Sequence, residues 1–194
     1  MHHTPSSADR VIIGHLGVAF ATKRRWQRAP LAWLLGATFA PDIWRLALAG
    51  SGYAWWPSNT LSHALPWSAI IAVVLASIAW LVLRDGTVAI LVALLAVSHI
   101  ALDMVSGWKP LWIGGPNGLN VQRLALTEFI LEGSLAGLGW FLLRGAKKPG
   151  WLATRTALAV MLVVQLAYLK RTYDARPIQA GCLTLPIAPC WRRL

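Results

Sequence analysis

Long apolar segments constrain this chain more than any other feature of its sequence. Segments 66–83 and 86–106 are separated by a single polar turn, and Asp103 is the only charged residue within them. As helices that rise about 1.5 Å per residue, both can cross a hydrocarbon core of about 30 Å. Segments 124–143 and 151–169 have a similar length and composition. The sequence therefore predicts an all-α, polytopic transmembrane helical bundle.

Two weaker candidates precede these four segments. Segment 11–22 is short, and segment 30–50 contains Pro41, which lacks a backbone N–H and is expected to end or kink a helix just before it. With them the bundle has about six helices, of which the first two are short or kinked. We interpret residues 1–194 as a single integral membrane domain that ends in a polar C-terminal tail over 170–194.

The composition excludes an ordinary soluble domain. Of the 194 residues, 57% are hydrophobic and 13% are charged, whereas soluble domains carry about 25% charged residues. The net charge of +11 comes from Lys and Arg residues that cluster between the apolar segments. This is typical of the flanks of membrane helices and requires no nucleic-acid partner. Membrane lipids are the expected partners instead.

Basic residues in the short loops predict the orientation. The loops after the first, third and fifth segments contain eight Lys or Arg residues, and the loops after the second and fourth contain two. Because cytoplasmic loops carry the excess of positive charge, the first set is predicted to be cytoplasmic. Five further basic residues in the 170–194 tail favour the opposite orientation, so this alternative stays open.

Side chains that bind metal ions recur at one level of the predicted bundle. They lie at the starts of odd-numbered segments and at the ends of even-numbered ones, which all meet the same membrane face. The set is His15, Asp42, His63, His99, Asp103, Glu128 and Glu132. Imidazole and carboxylate groups are common ligands of divalent cations. The sequence therefore predicts a metal site close to one face of the membrane.

His99 and Asp103 form the strongest pair in this set. Their i, i+4 spacing brings both side chains onto one helix face, where they can share one cation. A carboxylate at the centre of a membrane costs about 2.5–3.5 kcal/mol on insertion scales. A bound divalent cation would offset that cost. The pair by itself fits a metal site and a structural role equally well, and the placement of all seven candidates at one face favours the metal site.

The other candidates also have interpretations without a metal ion. A single histidine inside a membrane, such as His15 or His63, is more typical of a hydrogen bond between helices. Asp42 lies three residues before Arg45 and can pair with it. The two glutamates of segment 124–143 can form a solvated first turn that favours the positive N-terminus of a helix. These alternatives stay open for each residue taken alone.

Four short motifs follow one another in the chain. They are His15-Leu16-Gly17, Pro41-Asp42, Ser62-His63, and the stretch from Ser98-His99 to Asp103. In this order, over about 11–143, they resemble the YdjM-like family of bacterial inner-membrane, metal-dependent hydrolases. The resemblance implies a multi-pass inner-membrane protein and a hydrolytic reaction. It also implies a metal site formed by His15, Asp42, His63, His99 and Asp103.

The chain departs from the family pattern in two places. Family members often carry a second acidic residue shortly after Pro-Asp, where this chain has Ile43 and Trp44. A serine commonly follows the second histidine, where this chain has Ala64. The first departure puts a second metal ion in doubt, and the second removes a hydroxyl group but leaves Ser62 nearby.

These observations favour an enzyme that uses a divalent cation, zinc or manganese, to activate water against an ester or phosphoester of a lipid or lipid-linked substrate. The catalytic candidates are Glu128, Glu132 and Asp42, with either glutamate as general base or as a residue that orients a ligand. Lys109 and Arg123 could receive a phosphate, and the glycine-rich loop that carries them would be a lid. The predicted orientation places this site on the extracytoplasmic side.

Two other functions stay open. The same side chains can form an ion, metal or proton pathway in a transport protein, or they can only join helices in a structural protein. Transport predicts polar groups that continue toward the opposite face, and the far halves of the apolar segments contain few of them. That scarcity favours a site that opens to one face.

Overall fold

The computed structural model describes most of the chain between Ile13 and Arg144. The described residues are 13–53, 55–106, 109–112, 115–119 and 125–144, with positions 155, 159, 162, 163, 166 and 167 beyond them. This part of the chain forms six helices: α1 (Gly14–Arg25), α2 (Leu31–Gly50), α3 (Trp55–His63), α4 (Leu65–Leu83), α5 (Gly86–Ser106) and α6 (Ala125–Arg144). The helical class that the sequence predicts is confirmed for these residues.

Helix α2 continues through Pro41 to Gly50, so the prediction that a helix ends at this proline is wrong. Pro41 has no N–H, which deprives the carbonyl of Ala37 of its usual helical donor. Pro41 is itself fully buried. Packing against the neighbouring helices keeps α2 continuous here, because tertiary contacts outweigh local helix propensity.

Helix α3 was not predicted, because nine residues are too few to give a clear periodic pattern. It occupies the connection expected before segment 66–83, and it ends at His63. Ala64 then takes an extended conformation, with φ −66° and ψ 142°, and α4 begins at Leu65 with a proline in its first turn. The chain therefore changes direction directly after His63, which stays buried.

Two of the described helices, α4 and α5, are long and apolar enough to cross a membrane. Their outer faces expose aliphatic side chains such as Val73 and Ile90, as expected where a helix contacts lipid. Helix α6 coincides with the predicted segment 124–143 to within one residue at each end. Segment 151–169 and the tail over 170–194 lie mostly or wholly outside the described residues. Any span beyond α4 and α5 stays a prediction.

A short antiparallel hairpin follows α5 and consists of β1 (Lys109–Trp112) and β2 (Gly115–Asn117). The all-α prediction missed it, because the glycine-rich loop that contains it shows no alternating pattern of apolar and polar residues. The Leu119 N–H donates to the carbonyl of Met104 at 2.8 Å. This bond ties the chain after β2 back to the end of α5.

The apolar core and the polar site occupy different levels of the bundle. Side chains of α1, α2, α4 and α5 form the main apolar cluster, which includes Leu34, Val92 and Leu95. Along α5 the buried residues are apolar from 88 to 96 and become mainly polar from 99 to 106. The core therefore lies toward the start of α5, and the candidate site lies toward its end.

Helices α1 and α6 pack with their backbones in close contact at two glycines. A Cβ atom on Gly17 would overlap with the backbone of Leu135, and a Cβ atom on Gly139 would overlap with the backbone of Gly17. Small residues permit this close approach of two helices. The crossing brings the start of α1 beside Glu132 of α6.

Gly139→Ala is expected to destabilise the fold, because the new methyl group would overlap with the backbone of α1. Overpacking of this kind costs about 1–3 kcal/mol, which lowers the midpoint of thermal unfolding measured in detergent. Gly137→Ala is the matched control, since a Cβ atom there meets nothing within 4 Å and alanine favours a helix by about 0.5–1 kcal/mol over glycine. Equal midpoints for the two variants would contradict the close crossing.

Candidate metal centre

Four helices bring the predicted ligands together at one end of the bundle. His15 is the second residue of α1, Asp42 lies in α2 just after Pro41, and His63 ends α3. His99 and Asp103 lie on successive turns of α5. Ligand atoms of His15, His99 and Asp103 lie within 4.8 Å of one another, and so do those of Asp42, His63 and His99. These overlapping groups, which share His99, could hold a metal ion.

His63 Nε2, His99 Nε2 and Asp103 Oδ2 form a nearly equilateral triangle. The two nitrogens are 3.4 Å apart, and the carboxylate oxygen lies 3.2 Å from His63 and 3.4 Å from His99. A tetrahedral centre with bonds of about 2.0–2.1 Å has edges of about 3.3–3.4 Å. The triangle therefore has the size of one face of such a centre.

Asp42 adds a second carboxylate beside this triangle. Its Oδ1 lies 3.4 Å from His63 Nε2, and its Oδ2 lies 3.7 Å from His99 Nε2. Arg45 Nε is 3.8 Å from Oδ1, so the pairing with Arg45 is present together with the histidine contacts. The Asp42 side chain is 26% exposed, whereas the other four candidate ligands are 0% exposed. Asp42 is therefore the accessible member of the set.

Hydrogen bonds on the far side of each ring direct Nε2 of both histidines toward the carboxylates. His99 Nδ1 lies 2.8 Å from the Thr38 carbonyl oxygen, which only accepts, so Nδ1 carries the proton of the neutral ring. His63 Nδ1 lies 2.6 Å from Ser62 Oγ, which donates its own proton to the Asn59 carbonyl at 3.1 Å. Both Nε2 atoms then direct a lone pair toward the carboxylates, as in metal-binding histidines.

His15 lies against the same group from the side of α1. Its Nε2 is 3.2 Å from the His99 carbonyl oxygen and 3.7 Å from Asp103 Oδ1. Its ring also stacks on His99 at a tilt, with centroids 4.3 Å apart. Because a carbonyl oxygen only accepts, Nε2 carries the proton of the neutral His15 ring in this arrangement, which fits the single-histidine interpretation. His15 could bind a metal ion through Nε2 only after giving up this hydrogen bond.

Glu128 and Glu132 are buried, with 2% and 3% of their surfaces exposed, so the interpretation as a solvated first turn is wrong. The close packing of α6 against α1 excludes water from this face. Glu132 Oε2 accepts the backbone N–H of Gly14 at 2.6 Å, and a carboxylate at this place is favoured by the positive end of the α1 dipole. Glu132 therefore fixes the start of α1, one residue before His15.

The side chains of Lys109 and Arg123, the two candidates for phosphate binding, are not among those that the structure describes. Lys109 is the first residue of β1, and its side chain is not among those described. Arg123 lies outside the described residues. The roles of both residues, and the role of the hairpin as a lid, stay predictions.

Asn59 was not singled out from the sequence, and its backbone carbonyl accepts the Ser62 hydroxyl proton beside His63. It is fully buried, and within the described part of the chain neither its Nδ2 nor its Oδ1 has a hydrogen-bond partner. It precedes His63 by four residues and so lies on the same face of α3. This spacing was the available signal. Buried amides without partners are rare, and its place one turn before His63 makes Asn59 a candidate neighbour of the cluster.

No family model, curated protein or solved structure matches the chain. The resemblance to the YdjM-like family therefore rests on the four motifs alone. The geometry of the site carries the functional argument.

Asp103→Asn is expected to abolish stoichiometric metal binding, because it removes the negative charge of a central oxygen while keeping the shape of the side chain. Elemental analysis of the purified protein should find one transition metal ion or more per wild-type chain and only traces in the variant. Circular dichroism checks that the helix content is unchanged. Full metal occupancy in the folded variant would refute the proposed centre.

Ser62→Ala is expected to weaken metal affinity without removing a ligand. The serine hydroxyl orients His63, and loss of such a partner typically costs about 10–100-fold in affinity. Ser98→Ala is the matched control, because Ser98 Oγ donates to the Leu95 carbonyl and not to the cluster. Competition against a fluorescent chelator would measure both affinities, and equal values for the two variants would show that Ser62 does not orient His63.

Proposed function

We propose that this protein is a membrane-embedded, divalent-metal-dependent hydrolase that acts on an ester or phosphoester of a lipid or lipid-linked substrate. One observation carries the proposal: two imidazole lone pairs and a carboxylate oxygen meet at the edge lengths of a tetrahedral metal centre. Lone pairs and negative charge at this separation repel one another unless a proton or a metal cation lies between them. The donor set fits a cation, and the fit does not depend on any similarity to other proteins.

The chemistry of the donors favours zinc, with manganese as the other candidate. Two imidazole nitrogens with carboxylate oxygens suit both ions, and the tetrahedral spacing suits zinc more closely. The residues that would hold the ion are His63, His99, Asp103 and Asp42, with His15 on the α1 side. A cation bound there supplies Lewis-acid activation of a water molecule and of the ester or phosphoester oxygen.

Residues around the proposed centre would bind the substrate, position a ligand and accept a proton. Asp42 is the accessible member of the set, so we place the substrate on its side of the cluster. Glu132 positions α1, and with it His15, through its bond to Gly14. Glu128 lies one helical turn before Glu132 and is buried. We assign Glu128 the role of general base that takes the proton of the attacking water.

The two candidate spans support a membrane setting. Because the cluster lies at the end of α5 and beside the start of α4, it would sit close to one membrane surface. We propose that α1, α2 and α6 share the bilayer with these spans in a multi-pass protein of the inner membrane. The site then opens on the extracytoplasmic side, and a substrate anchored in the membrane can reach it without leaving the lipid.

Hydrolysis should require both the metal and the proposed base. With wild-type protein in nanodiscs and a panel of lipid esters and phosphoesters, we expect product release that depends on added zinc or manganese. Asp103→Asn should be inactive. Glu128→Gln should lower kcat by about 10²–10⁴-fold, the usual contribution of a general base, with its metal content unchanged.

Glu132→Gln is the matched control for the base, because a glutamine oxygen can still accept the Gly14 N–H. We expect a smaller loss of kcat than in Glu128→Gln. Equal losses in both variants would reject the assignment of Glu128. Uniform inactivity of the wild-type protein on the panel, together with metal or proton flux in proteoliposomes, would replace the hydrolase proposal with transport.

A further inference from the structure

An apolar groove of about 680 Å³ runs between α2 and α4, with its floor at α5. Small residues of α2, including Gly36 and Ala40, form one wall, and Ile70 and Val74 of α4 form the other. A Cβ atom built on Gly36 would meet nothing within 4 Å. The groove therefore exists because α2 presents hydrogen atoms and methyl groups where larger side chains would fill the space.

The lining of the groove selects a hydrocarbon occupant. The lining residues described by the structure are glycine, alanine, aliphatic residues or tryptophan, without a carboxylate, amine or hydroxyl group. An apolar space of this kind binds apolar molecules in preference to water. Its volume also lies in the range of about 300–1,000 Å³ that is usual for small-molecule sites.

The groove opens along α4, one of the two candidate membrane spans. The exposed side chains Ile70 and Val74 stand at its rim. In a bilayer, the molecules that meet this rim are lipid chains. A lipid chain could therefore enter the groove sideways from the membrane.

The groove passes the level of the accessible member of the metal cluster. Ile43, the residue directly after Asp42, lines the groove, and so do Trp44 and Trp67. Tryptophans favour the boundary between hydrocarbon and water. The α2 wall of the groove runs from Ala32 past Asp42 to Ala47, a span of fifteen residues or about 22 Å of helix, against about 30 Å for a hydrocarbon core.

We infer that this groove binds one hydrocarbon chain of the lipid whose ester or phosphoester is hydrolysed at the His/Asp cluster. The chain lies between α2 and α4, and the scissile group reaches the cluster beside Asp42. The inference rests on the proposed hydrolase function and adds its substrate class: a lipid held by a tail in the groove, recognised separately from its head group.

Gly36→Leu tests the inference by filling the groove. With a long-chain lipid in mixed micelles, we expect KM to rise at least tenfold. With a water-soluble analogue that has the same scissile group and a chain of two to four carbons, kcat/KM should stay within twofold of the wild-type value. Gly50→Leu is the matched control, the same substitution on the same helix outside the groove, and it should change neither value. An equal effect of Gly36→Leu on both substrates, or no effect on either, would overturn the inference while the hydrolase proposal stands.

A second measurement identifies the occupant without any need for activity. A photoreactive phenylalanine derivative replaces Val74 in the full-length protein in nanodiscs, and mass spectrometry identifies the adducts. Adducts with the mass of a membrane lipid, lost when Gly36→Leu is added, support the inference. Adducts with residues 151–169 or with a second copy of the chain would overturn it. Lipid adducts without hydrolysis of any substrate would instead reject the hydrolase function on which the inference rests, and the inference with it.

Discussion

Mutual repulsion among buried lone pairs and carboxylates is the constraint on which the rest of this structure depends. His63 and His99 face each other at 3.4 Å beside Asp103. Burying one uncompensated ion costs several kcal/mol, against about 5–15 kcal/mol for the whole stability of a domain. A bundle can hold such a group together only if something positive joins it. The helices α1, α2, α3 and α5 each contribute a side chain to this group. A positive charge that offsets the repulsion among these side chains would therefore stabilise the packing of four of the described helices.

The sequence predicted the members of the site better than their arrangement. Alternation of the apolar segments was sufficient to bring the three histidines and two aspartates to one level, since starts and ends of consecutive helices must share a face. It could not predict which nitrogen of His99 faces the cluster, because that depends on the Thr38 carbonyl, a backbone atom present in every residue. The hydrogen bond by which Ser62 orients His63 was not predictable either. It depends on the end of α3 before Ala64, which takes an extended conformation.

Helix boundaries were predictable where length and apolar composition determine them, as in α4, α5 and α6. They were not predictable where tertiary contacts decide, as in the short α3 and the hairpin after α5. Ile43 and Trp44 appear in the sequence only as a departure from the pattern of the family that the four motifs resemble. In the structure both line the groove between α2 and α4.

The uninterrupted course of α2 through Pro41 has a consequence for how the centre tolerates change. The proline leaves the Ala37 carbonyl without its helical donor, and the next carbonyl along, that of Thr38, receives the Nδ1 proton of His99 at 2.8 Å. One histidine is thus oriented by the main chain and the other by the hydroxyl of Ser62. Replacing a side chain cannot delete a carbonyl, so the His99 half of the centre is robust to point mutation at its supporting residue. The His63 half depends on a single oxygen atom that one nucleotide change can remove.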